Sequence, residues 1–190
     1  HMSIFDIKGR QAQAFLQHIL SNDVALLTTS GSAQHSILLN EQGGIIDDVM
    51  VFRTDYGYRL VSNAITCERL HRWMELHSQA FDCDVQWRND LCLFSIQGPL
   101  ARERLSSIVS SARSQLIQTL QHHQGAVEGD WFISSTGYTG EDGIEITLPA
   151  SQAVDFINEL VGAGIAPIGI GARDTLRLEA GFNLYGFDTN

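Results

Sequence analysis

The apolar positions of this chain change period along its length, and the changes mark out its elements. Ser3 to Gly9 alternates as a strand, whereas Phe15, Leu16, Ile19 and Leu20 gather on one side of a helix over Gln11 to Leu20. Ser21-Asn22-Asp23 breaks that helix. Ser36 to Asn40 and Ile45 to Arg53 flank Glu41-Gln42-Gly43-Gly44, a hairpin signal, and Thr54-Asp55-Tyr56-Gly57 turns the chain into a third strand at Tyr58 to Ser62. These runs predict an antiparallel meander. Leu70, Trp73, Met74 and His77 recur at i, i+3, i+4 and i+7, so Ile65 to Ala80 reads as an amphipathic helix lying on that sheet.

A similar order follows. Cys83 to Trp87 and Leu91 to Ile96 read as strands, Gln97-Gly98-Pro99 opens a helix, and Trp131 to Ser135 and Ile144 to Leu148 are further strands. Ala153 to Val161 is helical, with Val154, Ile157, Leu160 and Val161 on one side. Hairpins beside helices, without regular βαβ alternation, predict an α+β fold of mainly antiparallel sheets with packed helices. Two similar subdomains are expected, over residues 3–82 and 83–190. Gly169-Ile170-Gly171 lacks the third glycine of a dinucleotide fingerprint.

Composition narrows the function. The formal net charge of −10 comes from 22 acids against 12 bases, of which Lys8 is the only lysine, and such a surface repels phosphate backbones. Nucleic acid is therefore not an expected partner, although Arg69, Arg72, Arg102 and Arg104 could gather into a local patch for an acidic protein. No run of eighteen apolar residues exists and the start lacks the order of a secretory signal, so no membrane association is expected. Cys67, Cys83 and Cys92 are unclustered, which suits a reducing compartment, and the seven histidines sit at no ligand spacing, so no metal is expected.

Four places carry possible chemistry. In Asn40 to Asp48, strand alternation sends Asp47 and Asp48 to opposite faces, so one can meet solvent while the other points inward. A paired acidic turn exit is the plain alternative. Gly137 to Gly143 places three glycines at a spacing of three with acids between them, where a phosphate cradle would carry Lys or Arg. Carboxylates there suit a ring with several N–H donors on one edge, such as a pterin; the alternative is a hairpin with solvated acids. Glu145 leaves that loop opposite Ile144 and Ile146, and is a surface acid if the isoleucines face the core. Arg173 and Arg177 share a side of a short helix, as ligand-fixing groups or as salt-bridge partners of Asp174 and Glu179. Asn63 ends a strand, where its amide could orient a ligand or cap the next helix.

Together Asn40 to Asp48 (NEQGGIIDD), Ile96 to Pro99 (IQGP), Gly137 to Gly143 (GYTGEDG) and Ala172 to Gly181 (ARDTLRLEAG), followed by Leu184-Tyr185-Gly186, closely resemble the T-protein family of the glycine cleavage system, nearly from Ser3 to Asn190. The resemblance implies a tetrahydrofolate-dependent aminomethyltransferase. Its expected partner is the lipoylated H-protein, whose aminomethyl group passes its methylene to tetrahydrofolate with release of ammonia, without a metal. It also implies a segment before Ser3 and a β-barrel domain after Leu184-Tyr185-Gly186 that this chain does not carry, and a cytoplasmic or mitochondrial-matrix setting. By motif position Asp48 would act at the reacting nitrogens, with Asp47 as its alternative. Glu145 would receive the pterin donors, Arg173 would fix the folate, Tyr138 would be an aromatic wall, and Asn63, Val61 and Phe52 would line the slot. His35 stands in the folate-binding set where the family commonly has Tyr, and adds a side chain able to take up a proton near neutrality. Alternatives are a related folate-binding one-carbon enzyme or demethylase, and a non-catalytic fragment.

Overall fold

The structure, a computed structural model, describes residues 2–189. It divides into two compact units: the chain up to Asn89 together with the stretch from Leu184, and Asp90–Asn183. Every ladder within the two sheets is antiparallel, in line with the α+β expectation.

The first unit is a five-stranded sheet in the order β2-β3-β4-β1-β5, from β1 (Met2–Lys8), β2 (Ala33–Leu39), β3 (Ile45–Thr54), β4 (Gly57–Asn63) and β5 (Asp84–Trp87). Helix α1 (Ala12–Ile19) buries Ala12, Phe15, Leu16 and Ile19, and α2 (Cys67–Ser78) buries Leu70 and Met74. Both pack with Phe5, Ile7, Leu38, Val49, Val51 and Leu60 in one core. Alternation is blurred in β1 and β4 because Ile4 and Val61, pointing away from that core, are buried as well. Gly57, at φ +142°, closes the β3–β4 turn where a Cβ would run into the carbonyl oxygen of Ile7.

The second unit is a four-stranded sheet in the order β6-β9-β8-β7, from β6 (Leu91–Gln97), β7 (Gly125–Glu128), β8 (Trp131–Ser134) and β9 (Gly143–Pro149). Its helices are α3 (Ala101–Ser106), α4 (Ser111–Thr119), α5 (Ala153–Gly162) and α6 (Ile170–Ala180). Ile96, Leu105, Ile117, Ile133, Ile144, Ile146, Leu148, Phe156 and Leu160 form its core.

Two expectations change, and two elements are new. β5 hydrogen-bonds to β1 and stays with the first sheet, so the units part after Asn89 instead of after residue 82, and the stretch from Leu184 returns to the first unit. In α5 the buried side chains are Phe156 and Leu160, while Val154, Ile157 and Val161 are exposed. The large Phe156 ring packs edge-on against Phe94 and Trp131, and that rotates the smaller aliphatics outward. Finally α4 and β7 carry too weak a pattern to read in advance, since α4 buries only Ile117.

Candidate functional site

In the first unit the chemistry gathers at the entrance of β3. Asn40 shapes the hairpin before it: its Oδ1 accepts from the backbone N–H of Gln42 (3.0 Å) and Gly44 (2.8 Å). From this turn the strand delivers Asp47 and Asp48 to opposite sides, Asp47 fully buried and Asp48 half-buried. The two meet again through Asn63, at the end of β4, whose Nδ2 donates to Asp47 Oδ1 (2.7 Å) and to Asp48 Oδ1 (2.9 Å). The amide is thus spent on the acids, and it makes no capping bond to the following 3₁₀ turn Ala64–Thr66.

The acids differ in environment. Burial pushes the Asp48 carboxyl up, but hydrogen bonds from His35 and Asn63 and the charge of His35 outweigh it, so its pKa lies below the ordinary value. His35 Nε2 stands 2.9 Å from Asp48 Oδ2, with the imidazole largely open to solvent. Burial dominates at Asp47 and raises its pKa, opposed by hydrogen bonds from Thr66, Asn63 and the Asp48 backbone and reinforced by the Asp48 charge. Val61 and Phe52 are buried on the side of the sheet that Asp48 faces, Val61 paired with Met50 and Phe52 two residues further along the strand from Met50.

Behind this site Arg69, from α2, donates through Nη2 to the Ile46 carbonyl (2.5 Å) and to Tyr185 Oη (2.6 Å). The Leu184-Tyr185-Gly186 motif therefore braces the backbone that leads into the two acids.

In the second unit the acid is Glu145 on β9. Ile144 and Ile146 do face the core, yet Glu145 is not a simple surface acid: it lies half-buried between Ser95 of β6 and Ser134 of β8. Thr136 Oγ1 donates to its Oε2 at 2.6 Å and lies 3.0 Å from Ser134 Oγ. Burial raises the Glu145 pKa, against the lowering effect of the Thr136 and Ser95 hydroxyls. No cation pairs with it among the described residues.

The glycine loop follows from its neighbours. Gln97 lies against Gly137 and Gly143, where any Cβ would collide with its amide, and its Nε2 donates to the Thr136 carbonyl at 3.0 Å. Arg102 grips Asp142 with Nε 2.9 Å from each carboxylate oxygen and reaches Ser135 Oγ at 2.7 Å. A cavity of about 340 Å³ lies against the loop, lined by Thr136, Gly137, Asp142, Gly143, His122 and Phe182 among others. Tyr138 stacks on Phe182 and donates to the Asn183 carbonyl, and the Arg173 guanidinium lies 5.2 Å from its ring centroid. The two arginines of α6 divide their roles. Arg177 pairs with Asp174 at 2.7 Å, whereas the Nε of Arg173 is buried without a hydrogen-bond partner among the described residues.

Comparison with known proteins gives the family. The family model described as GCVT N-terminal domain matches residues 1–190. The chain belongs to this family. It is 54% identical over 188 residues to the aminomethyltransferase of Pseudomonas syringae pv. tomato and 48% identical to that of Chromobacterium violaceum, in each case covering 99% of this chain and 52% of the relative. A solved structure of glycine cleavage system aminomethyltransferase T from Bartonella henselae, 36% identical, superposes with a TM-score of 0.89 over 100% of this chain and 51% of that one. The chain thus spans about half the length of the relatives it matches.

Within this GCVT N-terminal domain, Asp48, Asn63 and His35 come together in the first unit, and Tyr138 and Arg173 in the second. The sequence reading missed Thr66, Thr136 and Ser95, and gave Gln97, Arg69 and Arg102 no part in positioning the acids and the loop. Their signals are faint because Ser, Thr and Gln at strand ends are common. The four arginines considered as a patch are each engaged locally: Arg69 and Arg102 as above, Arg72 with Glu68, and Arg104 with the Gly164 carbonyl. No group of three or more His, Cys, Asp or Glu among the described residues could hold a metal ion, and no helix there is long and apolar enough to cross a membrane.

Proposed function

We propose that this chain carries the folate-binding and acid machinery of a tetrahydrofolate-dependent aminomethyltransferase of the glycine cleavage system, with lipoylated H-protein as donor. The observation that carries the reading is Glu145, a carboxylate withdrawn from water, satisfied in part by hydroxyls and unpaired with any cation among the described residues. Such a group is costly until a ligand brings N–H donors, and the donor edge of a pterin does so. The unpartnered Arg173 Nε and the Tyr138 ring fit a planar, partly anionic ligand in the same sense. Folate supplies the nucleophilic nitrogen when bound.

The chain's own groups would bind and orient. Asp48, kept ionised by His35 and Asn63, would stabilise positive charge that develops during transfer, and Val61 and Phe52 would keep water from it. Calorimetric titration with tetrahydrofolate should give saturable heat that Glu145→Ala abolishes. The reading fails if the wild-type chain gives no heat or Glu145→Ala binds unchanged. With aminomethyl-loaded H-protein, Asp48→Asn should lower turnover by roughly two to four orders of magnitude while folate affinity changes far less. A change confined to the Michaelis constant would remove Asp48 from the chemistry.

A further inference from the structure

Thr66 Oγ1 stands 2.5 Å from Asp47 Oδ2 and 2.8 Å from the carbonyl oxygen of Asn63. A hydroxyl carries one proton and a backbone carbonyl carries none, so these two contacts either share that proton in a three-centre bond or use a second one, and at 2.5 and 2.8 Å the geometry favours the second. If the Thr66 proton goes to the Asn63 carbonyl, the proton between Thr66 and Asp47 belongs to Asp47. The other carboxyl oxygen behaves as a pure acceptor: Oδ1 takes the Asn63 amide at 2.7 Å and the Asp48 backbone N–H at 2.9 Å. One oxygen accepting and one placed to donate is the pattern of a neutral carboxylic acid.

The surroundings favour the same state. Asp47 is fully buried, and no cation pairs with it among the described residues. From β2, His35 directs its imidazole to Asp48 Oδ2; on β3 the adjoining charge is Asp48 itself, of like sign. Asn63 and Thr66 are neutral, and the Arg69 guanidinium of α2 is turned to the Ile46 carbonyl and Tyr185. A lone buried carboxylate in such a place neutralises in preference to staying charged.

We propose that Asp47 holds its proton at neutral pH on Oδ2 and serves as the positioning residue of the pair. The neutral acid fixes the Asn63 amide with one N–H on each acid. It turns the amide oxygen away from both and leaves Asp48 as the one ionised member of the pair. The protonation stands on geometry alone, while the positioning role rests on the folate reading above.

Infrared spectroscopy of the 190-residue chain at neutral pH tests it. The protonated-carboxyl C=O absorption should be lost in Asp47→Asn and kept in Asp48→Asn, with Glu145→Gln recorded alongside to identify the contribution of the other acid whose pKa is raised. Asp47→Asn mimics the neutral acid and should match or exceed the wild-type urea midpoint, whereas Asp47→Ala should lower it. A raised folded-state pKa gives stability that is full in acid and lost as pH rises through that pKa, so Asp47→Asn should also flatten the alkaline-going loss seen in the wild type. An unchanged C=O absorption in Asp47→Asn, or an Asn variant as unstable as the Ala variant, overturns the proposal. If the absorption is lost in Asp47→Asn yet the wild-type chain does not bind tetrahydrofolate, the protonation holds and the functional reading falls.

Discussion

Asp6 of β1 is as buried as Asp47 and yet its pKa moves in the opposite direction. Burial pushes it up, but Arg59 closes on it with two bonds (2.8 and 3.0 Å), Arg88 adds a third at 2.7 Å and Tyr56 a fourth at 3.0 Å, and the net shift is downward. Tyr56 is pushed up to about 12, first by burial and then, against the pull of Arg59, by Asp6. A depressed folded-state pKa gives stability that is present above the ordinary carboxylate value and lost as pH falls. Asp6→Asn leaves the guanidiniums short of counter-charge, so it should cost about 3–5 kcal/mol at neutral pH and flatten the acid limb of the stability profile. Urea unfolding at neutral pH and at pH below about 4 reads both effects, and an acid limb identical to the wild type would show that Asp6 does not govern it. Glu145 gives the opposite sign. Its raised pKa means stability is lost as pH rises, and Glu145→Gln should remove that loss while keeping the Thr136 hydrogen bond. An unaltered pH slope in this variant would mean that Glu145 is ionised throughout.

Elements explain why these residues hold their places. The start of β3 is braced by Arg69 and Tyr185, so Arg69→Ala should cost about 1 kcal/mol and raise amide exchange in the Asn40–Ile46 hairpin selectively. Exchange that rises equally in the second unit would contradict a local brace. The glycine loop is wedged by Gln97 instead, and Gly143→Ala, at the buried start of β9, should be strongly destabilising because the new methyl meets both the amide and the Ile96 carbonyl. Long periodic elements such as α1 and α2, and the β2–β3–β4 meander, were legible because side-chain period records which face is buried. The opposite directions of Asp47 and Asp48 were legible for the same reason. Period says nothing about partners, however: that Asn63 would bridge both acids depends on β4 ending beside the entrance of β3. Glu145 was misjudged by period alone, since leaving the core face does not mean reaching water when Ser95, Ser134 and Thr136 line the other side. In α5 the stripe of Val154, Ile157 and Val161 lost to one aromatic ring, because Phe156 has more apolar surface to bury than any of them.

At the scale of the whole chain, two separate cores imply two cooperative units with different dependence on sequence continuity. The second unit is one uninterrupted stretch, Asp90–Asn183, and its core draws on β6, β8, β9 and helices α3 to α5 that all lie inside it. Local connections of this kind carry a modest loop-closure cost. The first unit is discontinuous, because Tyr185 returns from the far end of the sequence to meet Arg69 and, at 3.4 Å, the Ile45 carbonyl. A fragment spanning 90–183 should therefore fold cooperatively by itself and retain its single urea transition. A fragment ending at Asn89 should fold but lack the brace, with the Asn40–Ile46 hairpin exchanging its amides as fast as in Arg69→Ala. Hydrogen exchange on the two fragments beside the 190-residue chain decides the matter. Protection of that hairpin in the shorter fragment equal to that in the whole chain would show that Asn40 and the β2–β3 ladder suffice to hold the acids in register, and that the returning tyrosine serves another purpose.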